Sequence, residues 1–429
     1  MAGDAQAQVD LIQNKTEIVY WYNPYRASAL RATTALIKEF EQANPTIRVR
    51  AETISDDITS DSRLRIALAS GNAPDIYKMD RFLIAQAVEE HQLEDISPRT
   101  LEESKIDFQS HITPALEEVK IDNKYYALPT DFDARILFYH KDILKSSGID
   151  TDFFDLDNPP LSISKLKIIA TSLDQRQSNG QYQRIGFIPW LDEGWPYTWG
   201  IVFGAQLVDS KKCRLSLDTP QVAAAFNLVT NWFQIKDRKK VADFLEKNYP
   251  PNSAATKHPF VTGKVPMVIG GTWMIEDLRQ LLPPDKWGLT WVPSNVNRKT
   301  SWSGGFGLVI PKGSKHKAEA LKFMKFAAGP SGQRIMLRLA RELPTQKSLY
   351  DAQWDFSTNV DKIVRTILKS SNTRPYLPFW SKLWSFLSLA QKNAISGEGN
   401  LKDDIGRAIP PFHGDQGTRC SKIKFEPPQ

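Results

Sequence analysis

The run Glu17-Ile-Val-Tyr-Trp-Tyr22 is apolar, β-branched and aromatic, which predicts a short strand ending in aromatics. Ala29 to Asn44 instead carries its apolar residues at helical spacing, and Pro45 closes it. Ile47 to Ile54 reads as the next strand, Asp61 to Ala69 as a helix stopped at Gly71, and Asp75 to Asp80 as extended again. A β-α-β-α-β rhythm of this kind predicts an α/β fold with a mostly parallel sheet and ligand groups at the carboxyl ends of its strands. Trp21 to Asn23, Ser55 to Asp57, and Asp80 fall at such ends.

Further along, Ala127-Leu-Pro-Thr-Asp131-Phe-Asp133-Ala-Arg135-Ile-Leu-Phe-Tyr139-His-Lys-Asp142 also reads as extended. Alternate side chains of a strand share a face, so Asp131, Asp133 and Arg135 are expected to point the same way. Carboxylates and a guanidinium form paired hydrogen bonds of fixed geometry, which suits a polyhydroxylated ligand such as a sugar. A surface strand with an internal ion pair is the competing account.

Trp190, Trp195, Tyr197 and Trp199 crowd a stretch interrupted by Pro189, Gly194, Pro196 and Gly200. In so loop-like a setting the indoles are not all expected to enter a core. A sugar ring stacks its C–H face on an indole while polar neighbours bond its hydroxyl rim. Core packing is the ordinary fate of a tryptophan, and Trp232, Trp287 and Trp291 are expected to follow it.

A chain of 429 residues exceeds what one core usually supports, so two lobes are expected. Residues 41% hydrophobic and 24% charged describe an ordinary globular protein, and no apolar run reaches the roughly 18 residues of a membrane helix. The net charge of +6 does not point to nucleic acid, because 55 basic residues are interspersed with 49 acidic ones. The runs Lys211-Lys212, Lys236 to Lys240 and Lys312 to Lys317 read as solvated helix ends and loops. Six histidines are scattered without metal-ligand spacing, and neither Cys213 nor Cys420 has clustered Cys or His neighbours, so no metal site is expected. No Gly-Lys-Ser/Thr loop is present to cradle a phosphate, and no cofactor is implied. Met1-Ala-Gly-Asp-Ala-Gln-Ala-Gln lacks the basic and apolar regions of a signal peptide, so any export signal or lipid anchor is expected to belong to a native precursor.

The stretch from Ala127 resembles the "LPxDxDxRxLYYNKD" region of the carbohydrate-binding receptors of ABC importers, solute-binding protein family 1. Lys38-Glu-Phe-Glu-Gln-Ala-Asn-Pro-Thr-Ile-Arg-Val is similar to that family's first helix and second strand. Leu64-Arg-Ile-Ala-Leu-Ala-Ser-Gly-Asn-Ala-Pro-Asp75-Ile-Tyr-Lys-Met-Asp80 is similar to its "ALASGxAPDVxxxD" signature, and Gly263-Lys-Val-Pro-Met-Val-Ile-Gly-Gly-Thr-Trp273 to its "GKxAMxxxGxW" element. Gly304-Gly-Phe-Gly-Leu-Val-Ile-Pro and Leu343-Pro-Thr-Gln-Lys-Ser continue the series in family order.

The resemblance implies a two-lobe periplasmic-binding-protein fold of type II, hinged, with three chain crossings, near Thr130 to Phe132, Gly305 to Ile310, and Ser371 to Tyr376. The N-terminal lobe is drawn over 16–130 and 310–370, the C-terminal lobe over 133–303 and 376–420, and 1–15 and 421–429 as terminal extensions. The implied function is that of a monomeric periplasmic or extracellular receptor. It would capture a mono- or disaccharide, or a glycosylated osmolyte such as glucosylglycerol, sucrose or trehalose, in an interlobe cleft and deliver it to membrane permease subunits.

By position in the family motifs, Trp273 is the foremost stacking residue, followed by Trp195 and Trp199, with Trp21 or Tyr22 from the first lobe. Asp80, Asp131 and Asp133 match positions that accept sugar hydroxyls, Gly304-Gly305 a backbone segment lying against ligand, and Arg374 an arginine reaching in from the third crossing. Asp57 is a further acceptor or a turn residue, and Arg135 completes the polar set. Phe306 stands where several maltose- and trehalose-type members have Trp, which leaves the number of sugar units open. An oxidising export route would allow a Cys213–Cys420 disulfide. Two other classes stay in view: a glycosidase using Asp131 and Asp133, although two same-face carboxylates on one strand do not flank a bond, and a sugar sensor on the same fold.

Overall fold

In the computed structural model, residues 15–24, 26–54, 62–97, 106–209, 214–296, 298–350, 359–375, 377 and 380–398 are described. Asp57, Cys213, Cys420 and the C-terminal tail lie outside them, and the disulfide expectation with them. The described chain falls into two units. Unit 1 holds 15–133, 304–350 and 373–382; unit 2 holds 134–303, 359–372 and 383–398. The helix Asn359–Lys369, drawn from the sequence with the first lobe, groups with unit 2, and Asp133, drawn with the second, groups with unit 1. Among the described residues no helix is long and apolar enough to cross a membrane.

Unit 1 is built on a five-stranded sheet in the order Ile47–Thr53, Thr16–Tyr22, Ile76–Asp80, Phe306–Val309, Leu128–Pro129. The first three strands are parallel, as the β-α-β-α-β reading requires. Phe306–Val309 runs antiparallel to both neighbours and sets Phe306 opposite Asp80. The helix Ala27–Ala43 turns Ala29, Ala32, Leu36 and Phe40 inward, and Phe40 packs edge-on against Phe323 at 5.0 Å. Because the chain steps to one side of Thr16–Tyr22 and then crosses to the other, the strand order reverses at that strand. The carboxyl ends there lie at the position where open α/β sheets bind ligands.

Two motif residues hold this frame. Asp75 is buried, accepts the Val19 amide at 2.9 Å, and takes the Ser314 hydroxyl and the amides of Lys315 and His316. Thr345 and Gln346, from the Leu343-Pro-Thr-Gln run, join Gln333, His111 and the Pro129 carbonyl in a buried polar cluster.

Unit 2 centres on the strand Arg135–His140, buried at every position between the antiparallel strands Met267–Gly271 and Trp287–Thr290. Leu137, Tyr139, Phe154, Phe187, Trp199 and Trp232 form its core. Trp232, Trp287 and Trp291 are buried as expected. The basic run from Lys236 is not wholly solvated: Lys236 itself is buried and paired with Asp174, while Lys239 is exposed.

Candidate functional site

The segment 131–134 is not a strand. One strand ends at Pro129 and the next begins at Arg135, so the pleat that would align Asp131, Asp133 and Arg135 is interrupted. The unit boundary falls between Asp133 and Ala134, and the two carboxylates go with unit 1 while Arg135 goes with unit 2. The shared face expected from alternation does not form.

In unit 1 these carboxylates enter a buried ionic network. Arg374 Nη2 meets Asp80 Oδ1 at 2.8 Å, and Arg374 Nε meets Glu118 Oε1 at 3.3 Å. The second Glu118 oxygen meets Arg81 Nε at 2.6 Å. Arg81 then donates to the carbonyls of Asp131, Gly304 and Phe306 at 2.5, 2.6 and 3.2 Å. Asp131 accepts the Phe306 amide at 2.7 Å through Oδ1 and pairs with Lys78 at 3.3 Å through Oδ2. Lys78 also meets Glu342 at 3.0 Å. Asp133 accepts the Gly304 amide at 2.7 Å.

Burial sets the titration of this network. It pushes the Asp131 carboxyl up to about 6, with Lys78 opposing and Glu342 adding to the rise. It raises Asp80 as well, against the pull of Arg374. Burial alone would lower the Lys78 ammonium, but Glu342 and Asp131 outweigh it and hold Lys78 above its ordinary value. Asp80 also caps the helix Arg81–Glu89 by accepting the Phe82 amide at 3.2 Å.

The close approach that removes a Cβ at Gly305 is to the protein's own atoms. Its φ is +131°, and a Cβ there would lie 2.5 Å from the Asp131 carbonyl and 2.6 Å from Arg81 Nη1. Tyr22 is buried and stacks on Tyr20 at 5.2 Å. Trp21 is nearly buried, donates to Glu52 at 2.8 Å and lies under the Arg63 guanidinium at 5.0 Å.

The aromatic stretch of unit 2 is helical, not a loop, from Pro196 to Val202. Pro196 at the first helical position is pre-set for the turn, and the helix carries Trp199 into the core, fully buried, with its Nε1 on the Pro189 carbonyl at 2.8 Å. Trp199 is therefore a core residue and not a stacking one. Trp190 packs against Phe233. Trp195, just before the helix, stays half-buried and meets Trp384 at 5.3 Å, tilted by 55°. Beside it, Gln391 donates to the Gly194 carbonyl at 2.9 Å.

Trp273, also half-buried, follows the strand Met267–Gly271. The Arg135 guanidinium lies over its ring at 4.9 Å and over Trp302 at 3.4 Å, and Arg135 Nε meets Glu193 at 2.9 Å. Tyr197 sets its edge on Trp302 at 5.0 Å and lies 6.5 Å from Trp384. A continuous run of rings thus leads from Trp273 through Arg135, Trp302, Tyr197 and Trp384 to Trp195. Glu193, Trp302, Trp384, Glu118, Lys78 and Glu342 were not identified from the sequence. The i, i+4 pair Trp380 and Trp384 was a legible signal of a helix with an aromatic face; the carboxylates carried none, since their partners are distant in sequence. Among the described residues no group of His, Cys, Asp and Glu is placed to hold a metal ion.

An open, mostly parallel sheet in one unit, an aromatic-lined second unit and repeated passage of the chain from one to the other define a two-lobe α/β binding protein. The family description "Bacterial extracellular solute-binding protein" matches residues 23–334, and the chain belongs to that family. It is 21% identical over 353 residues to the maltodextrin-binding protein MdxE of Bacillus subtilis, covering 79% of this chain and 77% of the relative. It is 20% identical to the galactooligosaccharide-binding protein of the same organism, covering 92% and 88%. Among solved structures, CpMnBP1 with mannotriose bound superimposes with a TM-score of 0.81 at 24% identity, over 92% of this chain and 99% of that one. The GacH receptor of Streptomyces glaucescens, solved unliganded and with acarbose, gives 0.76 at 20% identity over 96% and 100%. The fold is the maltose-binding-protein-like, two-lobe one.

Proposed function

We propose that the chain is the receptor of an ABC importer, periplasmic or extracellular and monomeric, which binds a small neutral carbohydrate or glycosylated osmolyte and hands it to permease subunits without transforming it. The observation that carries this reading is the set of half-buried indoles of unit 2, Trp273, Trp195 and Trp384, set on a rigid run of rings. Indole faces left partly open on a packed scaffold suit the C–H face of a sugar. Relatives named for maltodextrin and galactooligosaccharide binding, and related structures holding mannotriose or acarbose, support the carbohydrate class.

The carboxylates favour a receptor over a hydrolase. Asp131 and Asp133 each accept a main-chain amide, those of Phe306 and Gly304, so both serve as structural acceptors. A hydrolase needs one such group as acid and another as base or nucleophile at the scissile bond.

Calorimetric titration with glucose, maltose, trehalose, sucrose, glucosylglycerol, maltotriose and mannotriose tests the proposal. At least one is expected to bind and to be recovered unchanged. Trp273→Ala should weaken it by about 1–3 kcal/mol, the cost of losing a large buried contact. Failure of the whole panel to bind, or release of monosaccharide, would refute the reading.

A further inference from the structure

Gly271 and Arg135 face each other across the two strands that carry the site, as directly paired residues. A Cβ on Gly271 would come within 2.2 Å of Cη2 and Cζ3 of Trp273, so the six-membered ring of that indole packs directly against the glycine. Gly271 thus leaves room that any other residue would fill. Its partner Arg135 lies over the same indole.

Arg135 has almost no freedom of its own. Its amide donates to Ser301 Oγ at 3.0 Å, and that hydroxyl donates back to the Arg135 carbonyl at 2.6 Å. Its guanidinium closes a ring of contacts: Arg135 Nε donates to the Glu193 carboxylate at 2.9 Å, Thr198 Oγ1 donates to the Glu193 carbonyl at 2.7 Å, Trp302 Nε1 donates to Thr198 Oγ1 at 2.9 Å, and the Trp302 ring lies under the guanidinium. Thr198 and Trp302 are buried. A side chain tied at backbone, carboxylate and two ring faces cannot swing to follow a ligand, whereas it can hold a neighbouring ring still.

We propose that Arg135 and Gly271 are positioning residues that fix the plane of Trp273 before ligand arrives, and that Arg135 is not itself a ligand contact. This rests on Trp273 being a sugar-stacking residue. The gain is preorganisation: an indole already held in one orientation loses little freedom when a sugar settles on it. The planar, delocalised guanidinium matters as well as the charge, because an ammonium cannot lie flat against two indoles while its fork meets a carboxylate.

Fluorine NMR of the protein labelled with 5-fluorotryptophan reads the indole without ligand, with Trp273→Phe assigning the Trp273 line. In Arg135→Met, Arg135→Lys and Gly271→Ala the Trp273 line is expected to shift or broaden, while the lines of buried Trp232 and Trp287 stay in place and report an intact fold. Each variant should also weaken the tightest sugar of the panel by about tenfold, with Lys failing to rescue. An unmoved Trp273 line in Gly271→Ala and the Arg135 variants overturns the proposal. So does loss of sugar binding in Arg135→Met with the line unmoved, which would make Arg135 a direct contact, or a moved line with affinity unchanged. If no sugar binds the wild type but the line moves, positioning stands and the carbohydrate reading falls. If Trp273→Ala alone weakens binding, the reading stands and the positioning falls.

Discussion

Arg374 and Glu118 are joined twice, by the Arg374 amide and by its Nε, both directed to the same Glu118 oxygen at 3.1 and 3.3 Å. The segment 373–382 enters unit 1 at this point, and the pair ties its start beside the end of the central strand, where Asp80 caps a helix. The guanidinium that the family resemblance aims at ligand is committed here to two carboxylates of its own unit.

Removing it should therefore act first on stability. Arg374→Met leaves Asp80 buried without its cation while Glu118 keeps only Arg81, a change expected to cost about 3–5 kcal/mol. Denaturant unfolding should show a lower midpoint with an unchanged slope. A variant as stable as wild type would show that the carboxylates reach water or another donor.

The tryptophans of unit 2 should separate by role. Trp199→Ala empties a core position and is expected to cost about 3–5 kcal/mol. Trp384→Ala, at a half-buried ring, should cost about 1 kcal/mol of stability and weaken sugar binding instead. Melting curves and calorimetry on the two variants check the contrast, and equal losses of stability would contradict it.

His111 gives the fold a dependence on pH. Burial holds its imidazole down to about 4, between Thr345 Oγ1 and the Gln346 amide, whose donor requires an unprotonated ring nitrogen. Between pH 6.5 and 4 the unfolded chain therefore binds a proton that the folded chain refuses. Stability from this group is complete above the unfolded value and is lost as pH falls through that window, by about 3 kcal/mol. His111→Asn should flatten the profile of unfolding free energy over that range, and an unchanged slope would refute the assignment.

Asp131 acts in the opposite direction. Its folded carboxyl titrates near 6 against an ordinary 3.8, so between those values the folded chain holds the extra proton. Its contribution therefore improves as pH falls from 7 toward 4, by an amount on the order of 1–2 kcal/mol given its pairing with Lys78. Asp131→Asn, which keeps an acceptor for the Phe306 amide, should remove this gain. Equal profiles for the two proteins between pH 7 and 4 would count against it.

The sequence alone determined what is local. The strand and helix starts of unit 1 were legible because β-branched and aromatic runs, helical spacing and the stops at Pro45 and Gly71 act within a few residues, and the ordered motifs pointed to the family. Burial of Trp232, Trp287 and Trp291 followed from the ordinary fate of large apolar rings. The tertiary structure decided which polar groups are occupied. Alternation could not show that the extended run breaks after Pro129, sending Asp131 and Asp133 into unit 1 and Arg135 into unit 2. Nor could the loop-like spacing of Trp195 and Trp199 show that a helix begins at Pro196 and takes the second indole into the core. Glu118, Glu193 and Glu342 carry no local signal, because the cations they pair with lie 37 or more positions away in the chain. A pattern read over neighbouring residues carries propensity and periodicity, whereas the pairing of buried charges depends on which distant strands the fold sets side by side.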